Sequence, residues 1–219
     1  MQIDNNDRGF TYKREGPLDM RMNPEDDTKE TAYQLLQQLR VRKLKSMLKN
    51  NSDEEFAAEI AFGLIGNNKK NKIPETTIEL ADRVREIATP LIMKQNNWNS
   101  QQQTLGKNQA KKLKSQLDST IARVMQAIRI DVNGEFEVLE KLLEDIPKVL
   151  SPGGKVVMLT FHSGEDRRVK KSFKSGFNDG IYSAWSRDVV RPTSKERRDN
   201  PRSSCCKLRW AIRSDQDVS

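Results

Sequence analysis

Cysteine and histidine are almost absent from this chain. Its 219 residues include two cysteines and one histidine, and the cysteines are neighbours, Cys205 and Cys206. Adjacent cysteines bridge each other only with strain, so no disulfide framework is expected and a reducing compartment fits. One histidine, His162, and no C-x-x-C pair cannot assemble the usual zinc ligand sets, so metal chemistry is not expected either. Aromatic residues are sparse at 6%, and apolar residues reach 35%, which implies a small core for this length. No apolar run approaches the roughly 18 residues of a membrane span, and the N-terminus carries no signal-peptide core, so a soluble chain is expected.

Charge is plentiful. Lysine and arginine total 39 against 31 acidic residues, a net charge of +8, and charged residues make up 32% of the chain. Such a balance points to a polyanionic partner such as RNA, DNA or a ribosome, or to nothing more than a well-solvated basic surface.

The middle of the chain reads as helix. Asp27-x-x-Glu30, Ser52-x-x-Glu55 and Thr76-x-x-Glu79 have the capping-box spacing. Each is followed by apolar residues at three- and four-residue intervals: Leu35, Leu36 and Leu39; Phe56, Ile60 and Leu64; Leu80, Val84, Ile87 and Leu91. Residues 94–119, rich in Asn, Gln and Lys, read as a mobile loop or a weak helix with Trp98 as their one large apolar residue. Helix returns from Ile121 to Ile146, with Phe136, Leu139, Leu143 and Ile146 on one face, until Pro147 interrupts or kinks it. The period then changes. "SPGGKVVMLTFHS" is a turn followed by a punctuated apolar run, the form of a strand buried on both faces. "SRDVVRP" and "CCKLRWAIRS" are shorter strand candidates, the second with Leu208, Trp210 and Ile212 alternating with Arg209 and Arg213 as in a half-buried strand.

In a doubly wound α/β fold, ligands sit beyond the carboxyl ends of the strands. That places His162, Ser163, Glu165, Asp166 and Arg167 where a site would lie. The cluster could serve chemistry or cap the next helix: Glu165 and Asp166 read equally as helix-dipole residues, and His162 as a positioned hydrogen-bonding group rather than a nucleophile's base.

Four ordered blocks carry a family resemblance: "RGFTYKREGPLDMRM", "QAIRIDVNGEFEVLEKLL", "LSPGGKVVMLTFHSGEDRRVKKSF" and "RPTSKERRDNPRSSCCKLRWA". The chain resembles the ribosomal small-subunit RNA methyltransferase H (MraW-like) family from Gln2 to about Arg213, least at 94–119 and 175–188. The resemblance implies S-adenosylmethionine as cofactor, methylation of the exocyclic N4 of a decoding-region cytidine, and small-subunit ribosomal RNA or the assembling subunit as partner, without a membrane or a metal. It implies an α/β fold: the C-terminal part of a Rossmann-like class I methyltransferase fold, retaining strands five, seven and six, with an inserted all-helical substrate-recognition domain. The implied domains are 1–26, a remnant of the methyltransferase domain after its fourth strand; 27–120, the helical RNA-recognition insert; and 121–219, the C-terminal half of the methyltransferase domain. The segments 155–161, 188–190 and 207–212 would be the three strands.

"MQID" resembles the tail of a family segment, Asp-Leu-Gly-Val-Ser-Ser-x-Gln-Leu-Asp, that precedes the Arg-Gly-Phe block. The expectation is therefore a fragment, a truncated gene model or the product of an internal start, in which only Gln2 remains of the family's cofactor contacts. Such a chain alone would bind S-adenosylmethionine weakly or not at all, and its first remaining strand would lack a neighbour. Asp19, Arg21, His162, Glu165 and Asp166 are candidates for the catalytic pocket wall, although Asp19 could equally form a turn or pair with Arg21. Arg123, Arg129, Lys171, Lys174, Lys207 and Arg209 are candidate RNA contacts. Arg40, Arg42, Lys43, Lys45, Lys49 and Lys170 add basic charge that is either phosphate-binding or simply solvated.

The chain also departs from the family pattern. Gly164 stands for a Leu and Asn23 for an Asp. Ser204 and Cys205 stand where Arg and Ser are usual, and Ala58 and Glu59 where basic residues are common. Of a His-Pro-Ala-Thr-Arg approach to "QAIRI" only Arg123 remains, so RNA affinity is expected to be reduced. A methyltransferase with an RNA-recognising helical segment is one reading, and a non-catalytic RNA-binding or assembly module is the other. The compartment would be cytoplasmic in a bacterium and mitochondrial or plastid matrix in a eukaryote.

Overall fold

The computed structural model describes residues 8–26, 28–66, 72–98 and 105–215, which divide into two compact units, 1–134 and 135–219. The first unit is helical: α1 (Ala32–Gln38), α2 (Val41–Ser52), α3 (Ala57–Ile65), α4 (Thr77–Gln95) and α5 (Lys107–Asn133). Thr76 caps α4 as its spacing predicts, accepting from the Glu79 N–H at 3.2 Å while the Glu79 carboxylate accepts from the Thr76 N–H at 3.3 Å. The other two starts differ. Asp27 lies outside the described residues, and α1 is capped instead by a Thr31/Gln34 box. Ser52 closes α2 rather than opening α3: its hydroxyl donates to the Leu48 carbonyl at 2.9 Å, and the Phe56 N–H at the start of α3 is met by the Glu54 carboxylate at 3.0 Å.

Helix α2 is a separate element that no capping-box spacing in the sequence marks. Leu39 takes extended backbone after α1, and Leu44, Met47 and Leu48 turn one stripe of the new helix into the core. That core joins Leu36, Ile60, Leu64, Leu80, Val84, Ile121, Val124 and Ile128 from all five helices. The polar stretch expected to be a loop or weak helix is helical from Lys107, because Leu113 and Leu117 pack on Ala88 and Ile92 of α4.

In the second unit α6 (Glu135–Val149) and α7 (Ser163–Asn178) pack with β1 (Lys155–Thr160), β2 (Tyr182–Trp185) and β3 (Lys207–Arg213) around Leu143, Ile146, Val156, Val169, Phe173, Tyr182 and Ala211. The short α8 (Ser194–Asp199) precedes β3. The anticipated 121–146 helix is two helices, parted at Gly134, whose φ of 62° is left-handed backbone that glycine adopts freely. Pro147 stops nothing, for α6 continues through it to Val149.

The fold is α/β, with one sheet in the order β1-β3-β2 and both pairings antiparallel. Three strand expectations need correction. The middle segment is 182–185 rather than 188–190, of which only Val190 makes an isolated bridge to Leu208. β1 is buried on one face alone: Val156 and Thr160 point inward, while Val157 and Leu159 are 58% and 53% exposed. β3 has its faces reversed from the hydrophobicity pattern, because Arg209 and Ala211 are buried while Leu208, Trp210 and Ile212 are half-buried. Partners found elsewhere in the unit make that inward arginine possible.

Candidate functional site

The candidate residues fall in both units. Asp19 and Arg21 sit in the first, on the loop ahead of α1. The loop is fixed at Gly9, whose φ is 71° and where a Cβ would lie 2.3 Å from the Pro17 carbonyl oxygen. It is fixed again at Met20, a non-glycine residue at φ 62°, a conformation costing on the order of 1–3 kcal/mol. Two bonds hold Met20 there: its N–H donates to the Arg8 carbonyl at 3.0 Å, and its carbonyl accepts from Asn133 Nδ2 at 2.8 Å.

On that frame Arg21 Nε and an Nη donate to the two carboxylate oxygens of Asp19 at 2.8 and 2.9 Å, a bidentate pair, and another Nη donates to the Asp26 carbonyl. Asp19 Oδ1 also accepts from the Arg21 backbone N–H at 3.0 Å, so the structure forms both the turn and the pair expected of Asp19 as a structural residue. Burial of the Asp19 carboxyl works to raise its pKa, but the hydrogen bonds and charge of Arg21, with Arg8 further off, outweigh it and hold the group below the ordinary aspartate value. A carboxylate with a depressed folded pKa stabilises the fold above its unfolded pKa, near 3.9, and loses that contribution as pH falls through the folded value. Asp19→Asn should therefore cost about 1–3 kcal/mol at neutral pH. The deficit should close below about pH 4, which thermal melts across pH would register.

His162, Glu165 and Asp166 sit in the second unit, around the first turn of α7. His162 is the N-cap: its Nδ1 accepts from the Glu165 N–H at 3.4 Å, and Glu165 Oε2 accepts from the Phe161 N–H at 2.8 Å. His162 Nε2 is buried 3.3 Å from Glu165 Oε1, yet lacks the alignment of a hydrogen bond. Burial works to raise the Glu165 pKa, but the His162 imidazole beside it and the Phe161 and His162 backbone N–H groups that donate to its Oε2 prevail and lower it, so the capping carboxylate is ionised at neutral pH. The Phe136 ring lies 5.8 Å from the imidazole and carries the Arg168 guanidinium 3.4 Å above its centroid. Gly164 makes this fit possible, since a Cβ there would meet Phe136 Cζ at 2.7 Å.

Asp166 is held from the sheet. Arg209 Nε and an Nη donate to its two oxygens at 2.7 and 3.3 Å, and Lys207 Nζ stands 3.8 Å away. The remaining Nη of Arg209 donates to the Ser186 and Arg187 carbonyls, so this arginine, 4% exposed, has its donors engaged inside the protein. Arg123 is similarly employed: its Nε donates at 2.7 Å to Glu54, whose side chain is fully buried. Arg129 is half-buried on α5, and Lys170, Lys171 and Lys174 are exposed on α7. Arg40, the N-cap of α2, and Arg42, Lys43, Lys45 and Lys49 on the helix are exposed, with no acidic residue among them and no ion pair within the described residues.

Gln2 lies outside the described residues. Those that are described do not fit S-adenosylmethionine: the first turn of α7 is closed by His162 and Glu165, the space beside Gly164 is filled by Phe136, and no glycine-rich loop follows a parallel strand. No cluster of metal-ligating side chains occurs among the described residues, and none of their helices is long and apolar enough to cross a membrane.

A helical unit joined to a small antiparallel α/β unit, with a buried carboxylate–guanidinium pair behind a histidine-capped helix, defines the class of fold. The chain belongs to the MraW methylase family, which matches residues 1–214. It is 42% identical over 214 residues to the ribosomal RNA small subunit methyltransferase H 1 of Lachnoclostridium phytofermentans, an alignment covering 98% of this chain and 53% of that protein. Identity is 41% to the protein of the same name in Agathobacter rectalis, over 98% of this chain and 56% of the relative. It is 34% to ribosomal RNA small subunit methyltransferase H of Mesomycoplasma hyopneumoniae, over 97% and 65%. The chain spans about half the length of the first two.

Proposed function

We propose that this chain is part of an S-adenosylmethionine-dependent methyltransferase acting on N4 of a cytidine in the decoding region of small-subunit ribosomal RNA, and that it supplies RNA recognition and one edge of the catalytic fold. Family membership supports the reaction class, and the names of the relatives support the substrate. The observation that carries the RNA half is α2, with four exposed basic residues and a fifth, Arg40, at its N-cap, no acidic residue within the helix and no ion pair to them among the described residues. In this reading 27–120 is the recognition insert, while 1–26 and 121–219 belong to the methyltransferase domain, with β1, β2 and β3 as its fifth, sixth and seventh strands. A bacterial cytoplasm is the proposed compartment, by analogy with the bacterial relatives.

The chemistry asks little of the protein beyond placement. The cytosine amine is a weak nucleophile because its lone pair is delocalised into the ring, so it must be held in line with the transferable methyl and must lose its proton to an acceptor. The base must first leave its stack, with basic side chains holding the backbone meanwhile. Asp19 and Arg21 in the first unit, and His162, Glu165 and Asp166 in the second, remain proposed site residues, acting as positioning groups because each is committed to a neighbour within its own unit. Arg209 is assigned to holding Asp166 rather than to gripping phosphate, and Arg123 to holding Glu54. Arg129, Lys171, Lys174 and Lys207 join α2 as proposed RNA contacts.

The second reading, a non-catalytic RNA-binding or assembly module, is favoured by one observation: the described residues do not fit the cofactor. Two measurements separate and test these readings. Titration of a decoding-region RNA fragment should show affinity falling by about tenfold or more from roughly 50 to 200 mM salt if some three phosphates are held. A salt-independent affinity would refute the electrostatic interface. Calorimetry of the 219-residue chain with S-adenosylmethionine should show no micromolar binding. Binding at that level would place cofactor contacts within this chain and dismiss the non-catalytic reading.

A further inference from the structure

A cavity of about 230 Å³ opens in the first unit between the loop carrying Arg8 to Met22 and one face of α5. Phe10, Tyr12 and Met20 line it from the loop, and Met125, Gln126 and Arg129 line it from the helix. Small-molecule and cofactor pockets run to roughly 300–1,000 Å³, so this space suits one flat ring rather than a whole cofactor. Its walls are of three kinds. The two half-buried aromatic rings and the methionine thioethers offer polarisable faces on which any nucleobase stacks. The Gln126 carboxamide brings a donor pair and an acceptor, and its one protein hydrogen bond, to the Asn51 carbonyl, is long at 3.4 Å. The Arg129 guanidinium is planar and permanently charged, suited to a phosphate.

An independent observation marks the same place. Met20 is one of three non-glycine residues with left-handed backbone among the described residues, and its side chain, 1% exposed, sits in the wall of this cavity. Strained backbone persists where its surroundings enforce it, and it collects at ligand sites. Here the Arg8 carbonyl and the Asn133 amide enforce it. The Tyr12 hydroxyl lies 3.4 Å from the Asp118 carbonyl, which sets the tilt of its ring.

We propose that this cavity receives one unpaired nucleobase of the bound RNA, stacked on Phe10 and Tyr12, with Gln126 meeting the base edge and Arg129 the adjoining phosphate. The assignment rests on the RNA-binding reading and deepens it by naming where a base leaves the RNA stack. The chain's net charge of +8 favours an anionic ligand over a fully apolar one.

The test uses the 219-residue chain and a short single-stranded RNA containing 5-iodocytidine. Photo-cross-linking followed by mass spectrometry should place the adduct on the peptide holding Phe10 and Tyr12. Tyr12→Leu and Gln126→Leu should each weaken binding roughly tenfold, as loss of a stacking or base-edge contact does, and leave the salt dependence unchanged. Lys45→Ala with Lys49→Ala should instead flatten the salt dependence. If Tyr12→Leu does not fold, the cross-link on the unaltered chain still decides. Salt-sensitive binding with adducts elsewhere, or with folded variants that bind as the original does, overturns the base pocket and leaves the RNA reading standing. No binding of RNA at all overturns both.

Discussion

Asp166→Ala is expected to destabilise the second unit by about 3–5 kcal/mol, enough to lower its melting temperature by more than about ten degrees. The reason is the partner left behind. Arg209 is 4% exposed, and its guanidinium holds both Asp166 oxygens and the Ser186 and Arg187 carbonyls. Without the carboxylate a positive charge remains in the interior with only carbonyl dipoles and Lys207 beside it, and Lys207 is itself positive. The double variant Asp166→Ala, Arg209→Met removes the stranded charge and should recover much of the loss, because a buried pair returns little net energy over an apolar replacement of similar volume. Denaturant unfolding of the two single variants and the double variant would measure this. A single-variant loss under about 1 kcal/mol would mean that water reaches the pair, and that Asp166 is freer for chemistry than its geometry indicates.

That pair also shows where the sequence could be read and where it could not. Alternation correctly marks 207–213 as a strand, but it assigns Leu208, Trp210 and Ile212 to the core. A period of two cannot say which of two mixed faces is buried, and the deciding factor is Asp166, 43 residues away in sequence. Thr76 and Glu79 behave as their spacing predicts because a capping box is local. Ser52 does not, because Glu54 meets the Phe56 N–H and leaves the serine to end the preceding helix. The stretch 107–119 is polar enough to resemble a loop, yet Leu113 and Leu117 suffice once Ile92 lies against them. The turn and the pairing of Asp19 with Arg21 are legible in the sequence because their separation is only two residues. The nearby cavity carries a fainter sequence signal: Ala122, Met125, Gln126 and Arg129 stand at helical spacing, a polar pair within an otherwise apolar face.

The 219-residue chain is expected to self-associate through the open edge of β1, and Leu159→Lys to suppress it. Leu208 exchanges both backbone hydrogen bonds with Val190, and the Trp210 carbonyl accepts from Ser186, so these β3 residues face away from β1. Their neighbours Lys207, Arg209 and Ala211 therefore bond Thr160, Met158 and Val156, which turns the N–H and C=O groups of Val157 and Leu159 toward the unpaired side. The side chains of those residues are 58% and 53% exposed, and Phe161, next in the same alternation, is 51% exposed. A run of backbone groups left unpaired among the described residues, beside an apolar row, is a template for pairing with another chain, and natural edges are commonly blunted with lysine. Light scattering should show association that rises with protein concentration, and Leu159→Lys should reduce it without a large change in melting temperature, since the side chain is not in the core. Co-expression with the part of the Lachnoclostridium phytofermentans relative that this chain does not match should also raise solubility if that part pairs with β1, as the proposed methyltransferase fold requires. A monodisperse monomer with a single cooperative melt would show instead that the three-stranded sheet is complete as it stands, and would count against the proposal that β1 lies inside a larger sheet.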